Sequence, residues 1–162
     1  MTPLPLLQQR EIEAKVIGPL FRVFAAEVGE ERARAILAGV VRDLARLGGC
    51  AAAAALGGNG LEELAQAVDG WCAGDALELD ILRRDDTALE FNVTRCRFAE
   101  MYRRLGLDDL GTLLSCNRDA AMIEGFNPAL EFRRTQTLMQ GASHCDFRYR
   151  RAAEPPEGGQ ER

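Results

Sequence analysis

The run Leu77-Glu78-Leu79-Asp80-Ile81, followed by Asp85-Asp86 and then Ala88-Leu89-Glu90-Phe91-Asn92-Val93-Thr94-Arg95-Cys96, decides the fold. Apolar and polar residues alternate in it with period 2, and successive side chains of a strand point to opposite faces. Two strands around an Asp85-Asp86 turn make an antiparallel hairpin. Leu89, Phe91 and Val93 then share one face, while Glu90, Asn92, Thr94 and Cys96 share the other.

Upstream of this hairpin the period is helical. Leu6 to about Val28 is expected to be a helix kinked or broken at Gly18-Pro19. Glu30 to Leu47 carries an apolar stripe of Ala33, Ile36, Leu37, Val40, Val41 and Leu44, and is expected to stop at Gly48-Gly49. Ala51 to Gly60 reads as a low-complexity insertion ending in a Gly57-Gly58-Asn59-Gly60 loop, and Leu61 to Trp71 is helical again. Downstream, short helices are expected at Arg97–Leu105, Asp108–Leu114 and Arg118–Glu124, ended by Gly106, Gly125 and Asn127-Pro128. Leu130 to Met139 and His144 to Arg150 read as a second antiparallel pair, with Arg133, Thr135 and Thr137 on one face of its first strand.

The expected architecture is α+β: a single domain over residues 1–150, with N-terminal helices, an antiparallel sheet of about four strands, and short helices between two hairpins. Residues 151–162, rich in Pro, Glu and Gly, are expected to form a disordered tail.

The chain has 162 residues, 47% hydrophobic and 28% charged, with a net charge of -5. An acidic balance of this kind speaks against nucleic acid as a partner. No segment approaches the ~20 apolar residues that span a bilayer, and the N-terminus does not read as a signal peptide. The five cysteines, with no Cys-x-x-Cys among them, read as reduced thiols, so a cytoplasmic location is expected. The expected partner is a small-molecule substrate, with neither nucleic acid nor membrane, and a homodimer is the default for an enzyme of this size.

Polar chemistry concentrates in the last third. Cys116 precedes an expected helix with Asn117 as its cap, a position that lowers a thiol pKa and suits a nucleophile, with Arg118 beside it. The bland alternative is a small buried hydrophobe. The only histidine, His144, shares a strand face with Asp146, so a Cys116–His144 pair oriented by Asp146 is a candidate catalytic set; a surface histidine is the alternative. Cys145 falls on the opposite face with Phe147 and Tyr149 and reads as core, but remains a second candidate thiol. Asp119 and Glu124 are possible acid/base carboxylates. Asn92, Thr94, Asn117, Thr135 and Gln136 could grip an amide or amidine, and Arg97 or Arg118 a carboxylate. Cys96, Cys116, His144 and Cys145 could be counted as zinc ligands, but their spacing lacks the usual short cysteine pair, so no metal or cofactor is expected.

The runs Phe91-Asn92-Val93-Thr94-Arg95-Cys96-Arg97-Phe98-Ala99-Glu100-Met101-Tyr102, Leu113-Leu114-Ser115-Cys116-Asn117-Arg118-Asp119, Ile123-Glu124-Gly125-Phe126-Asn127-Pro128, Arg134-Thr135-Gln136-Thr137 and His144-Cys145-Asp146-Phe147-Arg148-Tyr149 resemble the L-2-amino-thiazoline-4-carboxylic acid hydrolase family, as does the opening Arg10-Glu11-Ile12-Glu13-Ala14-Lys15. The resemblance runs from about Leu7 to Arg150. It implies a hydrolase that opens a small cyclic amidine or isothiourea ring, turning 2-amino-thiazoline-4-carboxylate into N-carbamoyl-cysteine or acting on a related heterocycle. The nucleophile would be a cysteine or a water activated by His144 and Asp119. A non-catalytic sensor that binds a small molecule or metal on the same scaffold is the alternative.

Overall fold

The computed structural model describes residues 4–152. Helix α1 (Leu6–Val28) and helix α2 (Glu30–Leu56) are joined by the single residue Gly29, whose φ of 90° turns the chain back on itself. They are followed by α3 (Leu61–Trp71), strands β1 (Leu77–Arg84) and β2 (Ala88–Cys96), and helices α4 (Arg97–Arg104) and α5 (Asp108–Gly111). A wider π-helical turn, Thr112–Cys116, leads into α6 (Arg118–Phe126), and strands β3 (Leu130–Arg133) and β4 (Cys145–Arg151) close the sheet. The strand order is β1-β2-β4-β3, antiparallel throughout. The α+β architecture expected from the sequence is the one observed.

Two expected helix breaks do not occur. Helix α1 continues through Pro19 because Ala14, Gly18, Phe21 and Ala25 form one buried face that packing holds in place. A Cβ on Gly18 would stand 2.8 Å from Leu107, so this glycine serves close approach rather than a break. Helix α2 likewise runs through Gly48-Gly49 and the alanine run to Leu56, stopping only at Gly57 with φ 72°. Alanine is the best helix former, and the glycines let α6 lie against α2: a Cβ on Gly49 would sit 2.1 Å from the Met122 carbonyl oxygen, and one on Gly125 2.0 Å from that of Arg46.

The sheet also departs from regular alternation. Glu78 pairs with Arg95 but Leu79 with Val93, so Thr94 is an extra residue in β2. Such a bulge reverses the facing of the residues beyond it. Cys96 therefore turns away from the face of Asn92 and joins the side of Val93. Strand β3 ends at Arg133, leaving Thr135 and Thr137 in the connection to β4. The connection forms a short 3-10 turn, Leu138–Gln140, whose buried Thr137 hydroxyl accepts from the Gln140 N–H. Strand β4 extends through Arg151, and the Ala152 N–H donates to the Ala129 carbonyl; the rest of the expected tail lies outside the described residues.

Two apolar clusters hold the fold. One packs Leu89, Phe91, Val93, Phe147 and Tyr149 of the sheet against Leu64, Val68, Ile123 and Phe126 of α3 and α6. Phe91 and Phe147 stack there at 5.0 Å. The other gathers Phe21, Val41, Phe98, Met101, Tyr102, Leu110 and Leu114 among the helices. Leu77 and Cys96 touch both clusters, and the seam between them is where the chain leaves a cavity.

Candidate functional site

The cavity has a volume of ≈ 260 Å³, just under the ~300–1,000 Å³ of typical ligand sites. Its walls are mostly apolar: Leu44 and Ala52 from α2, Ala67 and Trp71 from α3, Met122 from α6, and Val93 and Phe147 from the sheet. The polar side chains gather at one end, where Arg10, Ser115, Cys116, Arg118, Asp119 and Arg134 meet.

Local structure explains this gathering. The π-helical turn before α6 adds a residue to the helical path and brings Ser115 and Cys116 to the cavity wall. One turn later Asp119 meets Arg134, which has just left β3; Nη1 of Arg134 donates to Oδ2 of Asp119 and Nη2 to the Cys116 carbonyl at 3.1 Å. Arg118 donates from Nε to the Leu114 carbonyl at 2.8 Å and faces Glu13 at 3.6 Å. Arg10 also pairs with Glu13, at 2.6 Å. Three guanidinium groups thus share two carboxylates, leaving one positive charge over at this end of the cavity.

Asp119 is surrounded by protein, and the 23% of its side chain that is exposed borders the cavity. Desolvation pushes its carboxyl up to about 6, although Arg134 pulls the other way. Desolvation, and then the neighbouring Asp119, push the Cys116 thiol up to about 12. Burial likewise raises Cys96 to about 11 and raises Cys145. Near neutral pH the cavity therefore holds protonated thiols and one carboxyl group poised to exchange a proton.

The site residues expected from the sequence divide. Cys116, Arg118, Asp119, Cys145 and Cys96 line the cavity together. Cys116 does not stand at a free helix N-terminus: the next amide, Asn117 N–H, is already bonded to the Thr112 carbonyl, so the expected lowering of its pKa gives way to the rise caused by burial. Asn117 is no cap either; its Nδ2 donates to the Ala38 carbonyl and ties α2 to the start of α6. His144 lies outside the cavity, with Nδ1 2.9 Å from Ser143 Oγ, and does not meet Cys116. Asp146 accepts from the Thr135 N–H and hydroxyl and the Gln136 N–H, so it pins the connection after β3 instead of orienting the imidazole. Asp146 and Thr135 border a separate, open concavity on the solvent face of the sheet.

Of the remaining candidates, Asn92 accepts from Arg148, Thr94 donates to the Glu78 carbonyl, and Arg97 donates to the Gly74 carbonyl. Among the described residues no group of three or more His, Cys, Asp and Glu side chains is placed to hold a metal, and His144 is apart from the three cavity cysteines. Sequence reasoning passed over Arg10, Glu13, Trp71 and Arg134. Arg134 stands in the Arg134-Thr135-Gln136-Thr137 run that carries the family resemblance, but nothing in that run gave it a role at the site.

A family model described as L-2-amino-thiazoline-4-carboxylic acid hydrolase matches residues 9–149. Comparison with curated proteins gives no match. Among solved structures, the chain is similar to the phenol-responsive sensory domain of the transcription activator PoxR, crystallised with phenol, at a TM-score of 0.53 and 13% identity. That alignment covers 84% of this chain and 73% of the PoxR domain, and at such identity the likeness is one of fold.

Proposed function

This chain belongs to the L-2-amino-thiazoline-4-carboxylic acid hydrolase family, and on that premise we propose that it opens, by hydrolysis, a small cyclic amidine or isothiourea acid bearing an apolar group. The observation that carries this reading is Asp119, a carboxyl group titrating near 6 at the polar end of an otherwise apolar cavity. A general base works best when its pKa lies near the operating pH.

The substrate carboxylate would pair with Arg118 and Arg10, which have only Glu13 between them. Its apolar part would lie against Leu44, Trp71 and Phe147. Ionised Asp119 takes a proton from a water as the water oxygen adds to the amidine carbon. The C=N electron pair moves to the ring nitrogen as the water adds and returns as the carbon–sulfur bond breaks, whose own pair leaves on sulfur. Asp119 gives its proton to that sulfur, and the proton left on the added oxygen passes to the nitrogen. One water is consumed, and the product is a carbamoyl derivative with a free thiol. The family's named substrate would give N-carbamoyl-cysteine by this route.

Burial holds the Cys116 proton up to about 12, so little thiolate is present near neutral pH; in this reading water activated by Asp119 is the nucleophile and the Cys116 thiol donates a hydrogen bond to the substrate. In this reading His144 and Asp146 serve the turn that closes the sheet. Activation of water by Asp119 requires no metal. The reaction belongs in the cytoplasm, in keeping with five unpaired thiols. No helix among the described residues is long and apolar enough to cross a membrane.

The test is mass spectrometry of products after incubation with L-2-amino-thiazoline-4-carboxylate and with analogues carrying an alkyl or aryl substituent. Gain of one water by a substituted analogue, lost in Asp119→Asn, supports the proposal. Turnover that persists in Asp119→Asn refutes the assignment of the base.

A second reading is favoured by the apolar walls and by the PoxR neighbour, a sensory domain crystallised with phenol: a binding module for an aromatic ring with one hydrogen-bonding group. Calorimetry distinguishes the two. Tight binding of a phenol with no turnover of any cyclic amidine selects the module.

A further inference from the structure

The helical hairpin leaves an apolar face uncovered. On α1, Ile12, Val16, Leu20, Val23 and Phe24 are 56, 64, 63, 66 and 37% exposed; on α2, Ile36, Val40, Leu44 and Leu47 are 44, 51, 54 and 67% exposed. Their spacing of three and four residues gives each helix a continuous stripe. The α1 stripe lies opposite the buried Ala14, Gly18, Phe21 and Ala25, hence on the outside of the molecule. The stripe of α2 adjoins α1, since Leu44 lines the cavity together with Leu6 and Arg10. Because α1 and α2 pack together and run antiparallel from Gly29, the two stripes form one outer face.

These nine side chains leave roughly 900 Å² of apolar surface open, above the ~300–600 Å² of the largest patch on a typical monomer and close to the ~800 Å² that each partner of a standard interface buries. We propose that a second copy of this chain covers this face, giving an isologous dimer in which α1 and α2 of one protomer pack on α1 and α2 of the other. Self-association fits the exposed charges of these two helices, where Glu27, Arg32 and Asp43 supply both signs; a face of one sign would repel its own copy. A net charge of -5 disfavours an anionic membrane as occupant.

Leu44 belongs both to this face and to the cavity lining. A partner protomer covering this face therefore also touches a residue of the cavity wall.

Light scattering of the full chain at micromolar concentrations tests the proposal. The wild type is expected at twice its 17.8 kDa chain mass, and Leu20→Glu with Val40→Glu at the chain mass itself. Leu82→Glu, on the exposed side of edge strand β1, is expected to remain dimeric. Far-UV circular dichroism checks that the helices persist, and a milder Leu20→Gln with Val40→Gln pair replaces the first variant if they do not. A monomeric wild type overturns the proposal, including one that associates with lipid vesicles instead. A dimer that survives the helix variants, or that Leu82→Glu abolishes, overturns it equally.

Discussion

Asp119 and Arg134 form an ion pair at the polar end of the cavity, yet burial holds the Asp119 carboxyl up to about 6 instead of near 3.8. Desolvation outweighs the guanidinium there. The folded protein holds this proton more tightly than the unfolded chain, so the stability from protonated Asp119 is present below about pH 4 and is lost as pH rises to about 6. A shift of this size corresponds to about 2–3 kcal/mol. Asp119→Asn removes the titration while keeping the shape. Chemical denaturation at several pH values should show the stability difference moving in the variant's favour by that order between pH 4 and pH 7, and a constant difference would refute it. The kcat/KM of the wild type should rise with pH through about 6, the region where the base ionises.

Cys116 yields a contrasting prediction. With its thiol pushed up to about 12, it should resist iodoacetamide at neutral pH, while the exposed Cys50 is alkylated first. Peptide mass spectrometry over a time course reads the order directly. Cys116→Ala should lower kcat/KM by less than about tenfold, whereas Asp119→Asn should lower it by about 10²–10⁴. Rapid labelling of Cys116, or complete loss of turnover in Cys116→Ala, would instead make this thiol the nucleophile.

The glycines of the α2–α6 crossing differ sharply from their neighbours in sequence. Gly39, exposed in the middle of α2, has open space where a Cβ would go. Gly39→Ala should therefore stabilise the protein by up to ~1 kcal/mol through helix propensity. Gly125→Ala would drive a methyl group into the Arg46 carbonyl. Since backbone cannot swing aside as a long side chain does, it should cost several times what Gly39→Ala gains and pull the Cys116–Asp119 segment away from α2. Thermal melts of the two variants should move in opposite directions.

That crossing also marks the limit of what local sequence carries. Alternation over Leu77–Cys96 and the 3.6-residue period over Leu6–Val28 and Leu61–Trp71 are local signals, and those elements form where their patterns place them. Gly48-Gly49 carries the composition of a helix end, but what it does depends on Gly125, far along the chain, which local reading does not pair with it. The bulge at Thr94 is hidden for the same reason: it exists only in the pairing with β1 and moves Cys96 to the other side. Cys116 and Asp119, close together in the chain, were legible as a cluster. Arg134 and Arg10 were not, because only the tertiary fold brings them to it. The Thr135–Thr137 and His144–Asp146 runs are dense in polar groups because the connection between β3 and β4 uses those groups to satisfy its own backbone.

Tyr149 offers a test of the core itself. It lies fully buried on β4, stacked 4.8 Å from Phe132, and among the described residues its hydroxyl has no hydrogen-bond partner. Burial accordingly raises its pKa well above the ordinary tyrosine value. A buried hydroxyl without a partner costs about 1–3 kcal/mol relative to one left in water, while its ring contributes fully to packing. Tyr149→Phe keeps the ring and removes the oxygen. It should leave stability unchanged or raise it by up to ~1 kcal/mol in chemical denaturation, whereas Tyr149→Ala should lose ~3–5 kcal/mol through the cavity it creates. A Phe variant destabilised by more than ~1 kcal/mol would mean that the hydroxyl is satisfied in solution, by a trapped water or a shifted neighbour.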